Sequence, residues 1–169
     1  QERGLPEALV DHVWELKQEK TAQLLSRQGV SDDLLPALRS LKDAGFRLSI
    51  ASNSIRATVE SEIRRLKIDT LVDFALSNED VRFPKPHPEI YWRSMIEAGS
   101  HPESTWIVED SSVGLESAFW SGANVVGVST PHEITPDFAH NRIIEGKMRQ
   151  KRVPWQPSQI NVLIPMAGA

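Results

Sequence analysis

The chain contains no cysteine. Disulfides, thiolate metal sites and a cysteine nucleophile are therefore excluded, and the composition suits a reducing compartment, so a cytoplasmic location is expected. Long apolar runs are also missing. None approaches the ~20 residues that a membrane-spanning helix requires, and no signal-peptide pattern opens the chain. Positive charge is outweighed by negative: the formal net charge is -4. The short basic cluster Lys147, Arg149, Lys151 and Arg152 reads as a solvated linker, so neither nucleic acid nor a membrane is an expected partner. There is no internal repeat and no low-complexity tract. The first residue is Gln1 rather than methionine, which suggests a piece of something longer.

What is present is enough for one domain. The 169 residues are 40% hydrophobic and 25% charged, ordinary values for a globular chain with a real core. Pro6 to Ser26 has the spacing of an amphipathic helix, with Leu9, Val13, Leu16 and Leu24 on one side. A second helix is expected from about Asp32 to Ala44, capped by Ser31, with Leu34, Leu35, Leu38 and Leu41 buried and Gly45 as its stop. Beyond it, short apolar strands alternate with helices: Phe46–Ala51, a stretch within Leu71–Leu76, Trp106–Val108 and Asn124–Val128. That alternation predicts an α/β fold, a parallel sheet covered by helices on both faces, whose ligands bind at the carboxyl ends of the strands. Residues 146–159 turn basic and proline-containing and read as a linker. Ile160–Ile164 is one more strand.

Three strand ends carry polar clusters. The first is Ser52-Asn53, where a hydroxyl and a backbone N–H at a helix start can hold a phosphate oxygen. Alone, the pair reads first as a helix cap. The second is Phe83-Pro84-Lys85-Pro86-His87-Pro88. Two prolines stiffen the backbone around Lys85, which can then place a point charge against a phosphoryl group and a carboxylate. Alone, it reads as an exposed loop lysine, and His87 as a helix-entry residue. The third is Glu109-Asp110-Ser111-Ser112-Val113-Gly114, directly after an apolar strand. Two adjacent carboxylates repel each other, and a hard divalent cation such as Mg²⁺ relieves that repulsion. The competing reading is a helix N-terminus carrying acids. Gly114 permits a close approach of backbone. In combination the clusters supply the cations and acids of phosphoryl transfer.

In these motifs the chain resembles the haloacid dehalogenase (HAD) superfamily. Leu48-Ser49-Ile50-Ala51-Ser52-Asn53 is similar to its second motif, Lys85-Pro86-His87-Pro88-Glu89-Ile90-Tyr91 to its third, and Ile107-Val108-Glu109-Asp110-Ser111-Ser112-Val113-Gly114 to its fourth. The resemblance runs over roughly residues 30 to 130. It implies a Rossmann-like three-layer core over residues 30–145, with residues 1–29 as the remnant of a helical cap. It implies that Ser52 and Asn53 contact phosphate, that Lys85 stabilises a nucleophile and the phosphoryl group, and that Asp110 and Glu109 serve Mg²⁺. The implied activity is an Mg²⁺-dependent phosphatase of a small phosphorylated metabolite, a sugar phosphate among the candidates. The alternatives are a phosphosugar mutase of the β-phosphoglucomutase type and a non-catalytic phosphate-binding module.

One departure qualifies this. The family's first motif is an Asp-x-Asp pair after the first strand, and its first Asp is the nucleophile. No Asp-x-Asp occurs in this sequence. The chain as it stands is therefore expected to be inactive. The missing strand belongs in the middle of the sheet, and its loss would leave two facing edges with unpaired backbone. Ile160–Ile164 is a candidate to fill that slot. Residues Val162 to Ala169 also resemble the opening strand and loop of sugar-phosphate nucleotidyltransferases, which suggests such a domain fused in the parent protein.

Overall fold

The computed structural model describes residues 31–146, the backbone of Ile160–Ile164, Gly29, and five helical positions near the start: Leu9, His12, Val13, Leu16 and Lys20. The chain divides into two compact units, the first running to Gly29. The rest of the Pro6–Ser26 helix and the linker beyond Gly146 lie outside the described residues. No described helix is long and apolar enough to cross a membrane.

In the second unit, helix α1 spans Leu34–Asp43. Its Leu34, Ala37, Leu38 and Leu41 recur at helical spacing and are buried. Asp33, not Ser31, is the N-cap residue. It makes no side-chain cap bond, and the Ser31 hydroxyl instead accepts from the Asp33 N–H at 3.3 Å. Gly45 turns the chain at φ +84°, where a side chain would be strained. Strand β1 (Phe46–Ala51) follows, then α2 (Arg56–Leu66), β2 (Phe74–Leu76), a 3₁₀ turn at Asn78–Asp80, and α3 (Glu89–Ala98). Next come β3 (Thr105–Glu109), α4 (Ser112–Ser121) and β4 (Asn124–Gly127). A short α5 (Pro136–Phe138) runs into a π-helical turn at Ala139–Ile144. Strand β5 (Ile160–Ile164) is the last element.

The five strands form one sheet in the order β2-β1-β5-β3-β4, with every pairing parallel. Strand β5 occupies the central slot. Leu163 pairs with Ser49 on one side and with Ile107 on the other, and Val162 with Leu48 and Trp106. The two edges that would otherwise face each other unpaired are thereby closed.

The sheet is covered on both faces. One cluster joins Leu38 and Leu41 to Leu48, Ile50, Val59, Val108, Ala139 and Ile143. The opposite cluster joins Ala51 and Ile107 to Ile90, Tyr91, Met95 and Ala118. Ile107 and Val108, adjacent in β3, point into opposite layers, as strand alternation requires. The result is the three-layer α/β sandwich expected of the motifs, and it sends β1, β2 and β3 to a common carboxyl rim.

Candidate active site

Lys85 is the centre of the rim. It sits in the loop before α3, yet it is only 7% exposed. Its ammonium donates to the Ala51 carbonyl, at the end of β1, at 3.0 Å. It also donates to Glu109 Oε1, at the end of β3. One side chain thus ties together the ends of two strands that flank the central slot. A buried ammonium without such partners would cost several kcal/mol, so the loop must be built to hold it there.

The loop is pinned at several points. The Asn53 amide clamps the Lys85 backbone from both sides: its Oδ1 accepts from the Lys85 N–H at 3.0 Å, and its Nδ2 donates to the Lys85 carbonyl at 3.2 Å. The Glu89 carboxylate accepts from the Arg82 and Phe83 N–H groups at 3.0 and 2.9 Å and pairs with Arg93 at 2.8 Å. These bonds, the Arg82 N–H first, hold its carboxyl below the usual range. Ser117 Oγ on α4 donates to the His87 carbonyl at 2.9 Å. His87 is exposed, and its Nδ1 accepts from the Glu89 N–H at 3.2 Å, which makes it a helix-entry residue.

Glu109 is 3% exposed and its carboxylate is fully engaged. Oε1 accepts from Lys85 and from the Tyr91 hydroxyl, and Oε2 accepts from Ser111 Oγ at 3.3 Å. Ser111 in turn caps α4 by accepting from the Gly114 N–H at 3.0 Å. Gly114 is required by the carboxylate itself. A Cβ built there would lie 2.0 Å from Glu109 Oε2. The close approach that a glycine at position 114 permits is that of this side chain. The Tyr91 hydroxyl is held neutral, its pKa raised by burial and then by the Glu109 charge.

Asp110 stands next to this network and is only partly buried. Its carboxyl is raised above the ordinary value by burial first and by the Glu109 charge second, against the opposing pull of its own backbone N–H and of Lys85. A carboxylate so destabilised beside a second carboxylate fits a divalent cation. Among the described residues, no three His, Cys, Asp or Glu side chains converge, and the rim offers two carboxylates, Asp110 and Glu109. With Glu109 occupied by three donors, Asp110 is the member that faces outward.

Ser52 directly follows Ala51 and is 2% exposed. Its N–H is bonded to the Leu76 carbonyl at 3.0 Å, and its Oγ accepts from the Ser54 N–H at 3.1 Å. Among the described residues, no acceptor takes the hydroxyl proton. The fold therefore brings Ser52, Asn53, Lys85, Glu109 and Asp110 to one rim. The Asn53 side chain is bonded to the Lys85 backbone, which leaves its backbone N–H as the group to meet a phosphate oxygen, as the sequence reading has it. Tyr91 was not singled out in the sequence. Its place one turn into α3, on the buried stripe with Ile90 and Met95, is the signal that could have found it.

A family model for haloacid dehalogenase-like hydrolases matches residues 7–128, well over half of the chain and all three motifs. The chain belongs to the haloacid dehalogenase-like hydrolases. The (S)-2-haloacid dehalogenase 4A of Burkholderia cepacia is 27% identical over 135 residues, covering 69% of this chain and 58% of that protein. The pyrophosphatase PpaX of Bacillus mycoides (strain KBAB4) is 29% identical over 92 residues, 54% of this chain and 43% of that protein. A crystal structure of a HAD-superfamily hydrolase, subfamily IA, from Geobacter sulfurreducens PCA superposes with a TM-score of 0.58 at 25% identity, covering 64% of this chain and 55% of that one. The chain spans about half the length of the curated relatives it matches. In this chain, the Lys85–Glu109 bridge is the feature around which the rim is assembled.

Proposed function

We propose that this chain carries the phosphoryl-binding half of an Mg²⁺-dependent phosphohydrolase acting on a small phosphorylated metabolite. The observation that supports this best is the Lys85 ammonium, fixed between the Ala51 carbonyl and Glu109, immediately beside Ser52 and Asp110. A phosphoryl group at that rim meets a hydroxyl donor from Ser52 and an ammonium donor from Lys85. Asn53 holds the lysine loop, and Asp110 is the residue that would hold Mg²⁺, with Glu109 behind it. The metal supplies charge neutralisation of phosphoryl oxygens.

Dehalogenases share the family, but the acidic pair favours the phosphohydrolase. Carboxylates at Glu109 and Asp110 suit a metal-bound dianion, and they would repel a haloacid unless a cation intervened. The sequence holds no Asp-x-Asp pair, so the chain binds phosphate without turning over a phosphate ester. The test pairs two measurements on the purified chain. With Mg²⁺ present, p-nitrophenyl phosphate is expected to yield no phosphate above buffer, while inorganic phosphate binds in a manner lost in Lys85→Met. Mg²⁺-dependent hydrolysis would refute the inactivity, and equal phosphate binding by wild type and Lys85→Met would refute the site. A phosphate-binding module without catalysis is the reading favoured if binding persists after the chain is extended to include an Asp-x-Asp strand and turnover still fails.

A further inference from the structure

Tyr91 lies beneath the rim and has no role in the motif chemistry set out above. It is 1% exposed and is the single tyrosine of the chain. Its hydroxyl donates to Glu109 Oε1, the same oxygen that Lys85 uses, and its ring centroid is 4.8 Å from Lys85 Nζ. Packing does not call for the hydroxyl. The ring sits among Ala51, Ile90, Met95, Ile107 and Ala118, and a phenylalanine would fill that space equally well. What the hydroxyl adds is a second donor on an already paired carboxylate oxygen.

That second donor has two physical consequences. It fixes Glu109, whose other oxygen is held by Ser111, in a single orientation. It also draws negative charge from Oε1, so the lysine is held less tightly than by a bare buried carboxylate. Among the described residues Lys85 spends two of its three N–H bonds, on Ala51 and Glu109. The third is available to an incoming anion only while the ammonium keeps its place.

We propose that Tyr91 is a positioning residue, whose hydroxyl sets the place and orientation of the Lys85 ammonium through the shared Glu109 oxygen. The use made of that ammonium, capture of a phosphoryl oxygen, rests on the reading given under Proposed function. Positioning itself is read independently of any ligand.

The experiment is Tyr91→Phe in the full chain, read by lysine-ammonium ¹H–¹⁵N spectra. The buried Lys85 ammonium exchanges slowly and is identified by its loss in Lys85→Met. In Tyr91→Phe its resonance is expected to shift, while the other lysines stay in place. The dissociation constant for inorganic phosphate, measured with Mg²⁺, is expected to rise about three- to tenfold, the worth of one net hydrogen bond. An unmoved Lys85 resonance overturns the proposal, because a purely space-filling tyrosine would leave it unmoved. A moved resonance in a wild type that binds no phosphate upholds the positioning and overturns the phosphoryl reading instead. Should Tyr91→Phe fail to fold, uniform incorporation of 3-fluorotyrosine alters Tyr91 alone. Its more acidic hydroxyl is a stronger donor, so the Lys85 resonance is expected to move; no movement overturns the proposal.

Discussion

Replacing Gly114 by alanine sets two opposite effects against each other. Gly114 lies in the first turn of α4 at an ordinary helical φ, and alanine is about 1 kcal/mol better than glycine inside a helix. Propensity alone therefore calls for a more stable protein. The structure calls for the reverse. The new Cβ would fall 2.0 Å from Glu109 Oε2 and 2.3 Å from its Cδ. That carboxylate is not a loose end, because Lys85, Tyr91 and Ser111 all hold it. Relief requires either a shift of the α4 terminus, about 1–3 kcal/mol for overpacking, or loss of the buried pair, about 3–5 kcal/mol. Taking roughly 3 kcal/mol for the clash and subtracting the propensity gain leaves a destabilisation of about 2 kcal/mol. For a chain of this length that lowers Tm by about 4–8 °C. Thermal unfolding followed by circular dichroism measures it. The control is the same substitution in a Glu109→Ala background, where the obstruction is gone and alanine should cost nothing or stabilise. Gly114→Ala as stable as the wild type, or equally destabilising with Glu109 removed, would refute the reasoning.

Other expectations follow from the same geometry. Asp110→Asn removes a like-charge neighbour of Glu109, so it should stabilise the metal-free chain at neutral pH and abolish its response to Mg²⁺; if Mg²⁺ at ten times its dissociation constant adds about 1.4 kcal/mol to the wild type, the variant's Tm should not move. Asn53→Ala leaves the Lys85 N–H without its acceptor, and hydrogen exchange at that amide should accelerate while β1 amides stay protected. Burial raises the Asp73 carboxyl, but the Lys42 bond and the Leu48 N–H outweigh it and hold it below its usual value. Its contribution is thus complete above the unfolded pKa of about 4 and is lost as pH falls through the lower folded value, so Asp73→Asn should flatten the acid limb of a stability-against-pH curve. Val162→Pro removes a ladder donor from the central strand, and the protein should aggregate or become sensitive to protease.

Much of the frame was legible in the sequence because period and polarity agree there. Phe46, Leu48 and Ile50 alternate with Arg47 and Ser49, and the leucines of α1 recur at helical spacing, so element types followed directly. The central position of Ile160–Ile164 was reached by asking which backbone groups a sheet lacking its first strand would leave unpaired. The site was harder to read. Asn53 directly follows Ser52, and nothing in one dimension says that its amide faces the Lys85 backbone 32 positions later. Glu109 and Asp110 look equivalent as neighbours, yet strand alternation sends one inward to Lys85 and leaves the other at the rim. Tyr91 reads as one more apolar residue of α3, because a hydroxyl's partner is a tertiary fact.

The most direct measurement is a crystal structure of the chain grown with Mg²⁺ and soaked in tungstate, a heavy mimic of phosphate. The anion is expected within hydrogen-bonding distance of Ser52 Oγ and Lys85 Nζ, with the metal on the Asp110 carboxylate. Tungstate bound elsewhere, with the rim beside Ser52 and Lys85 empty, would contradict it.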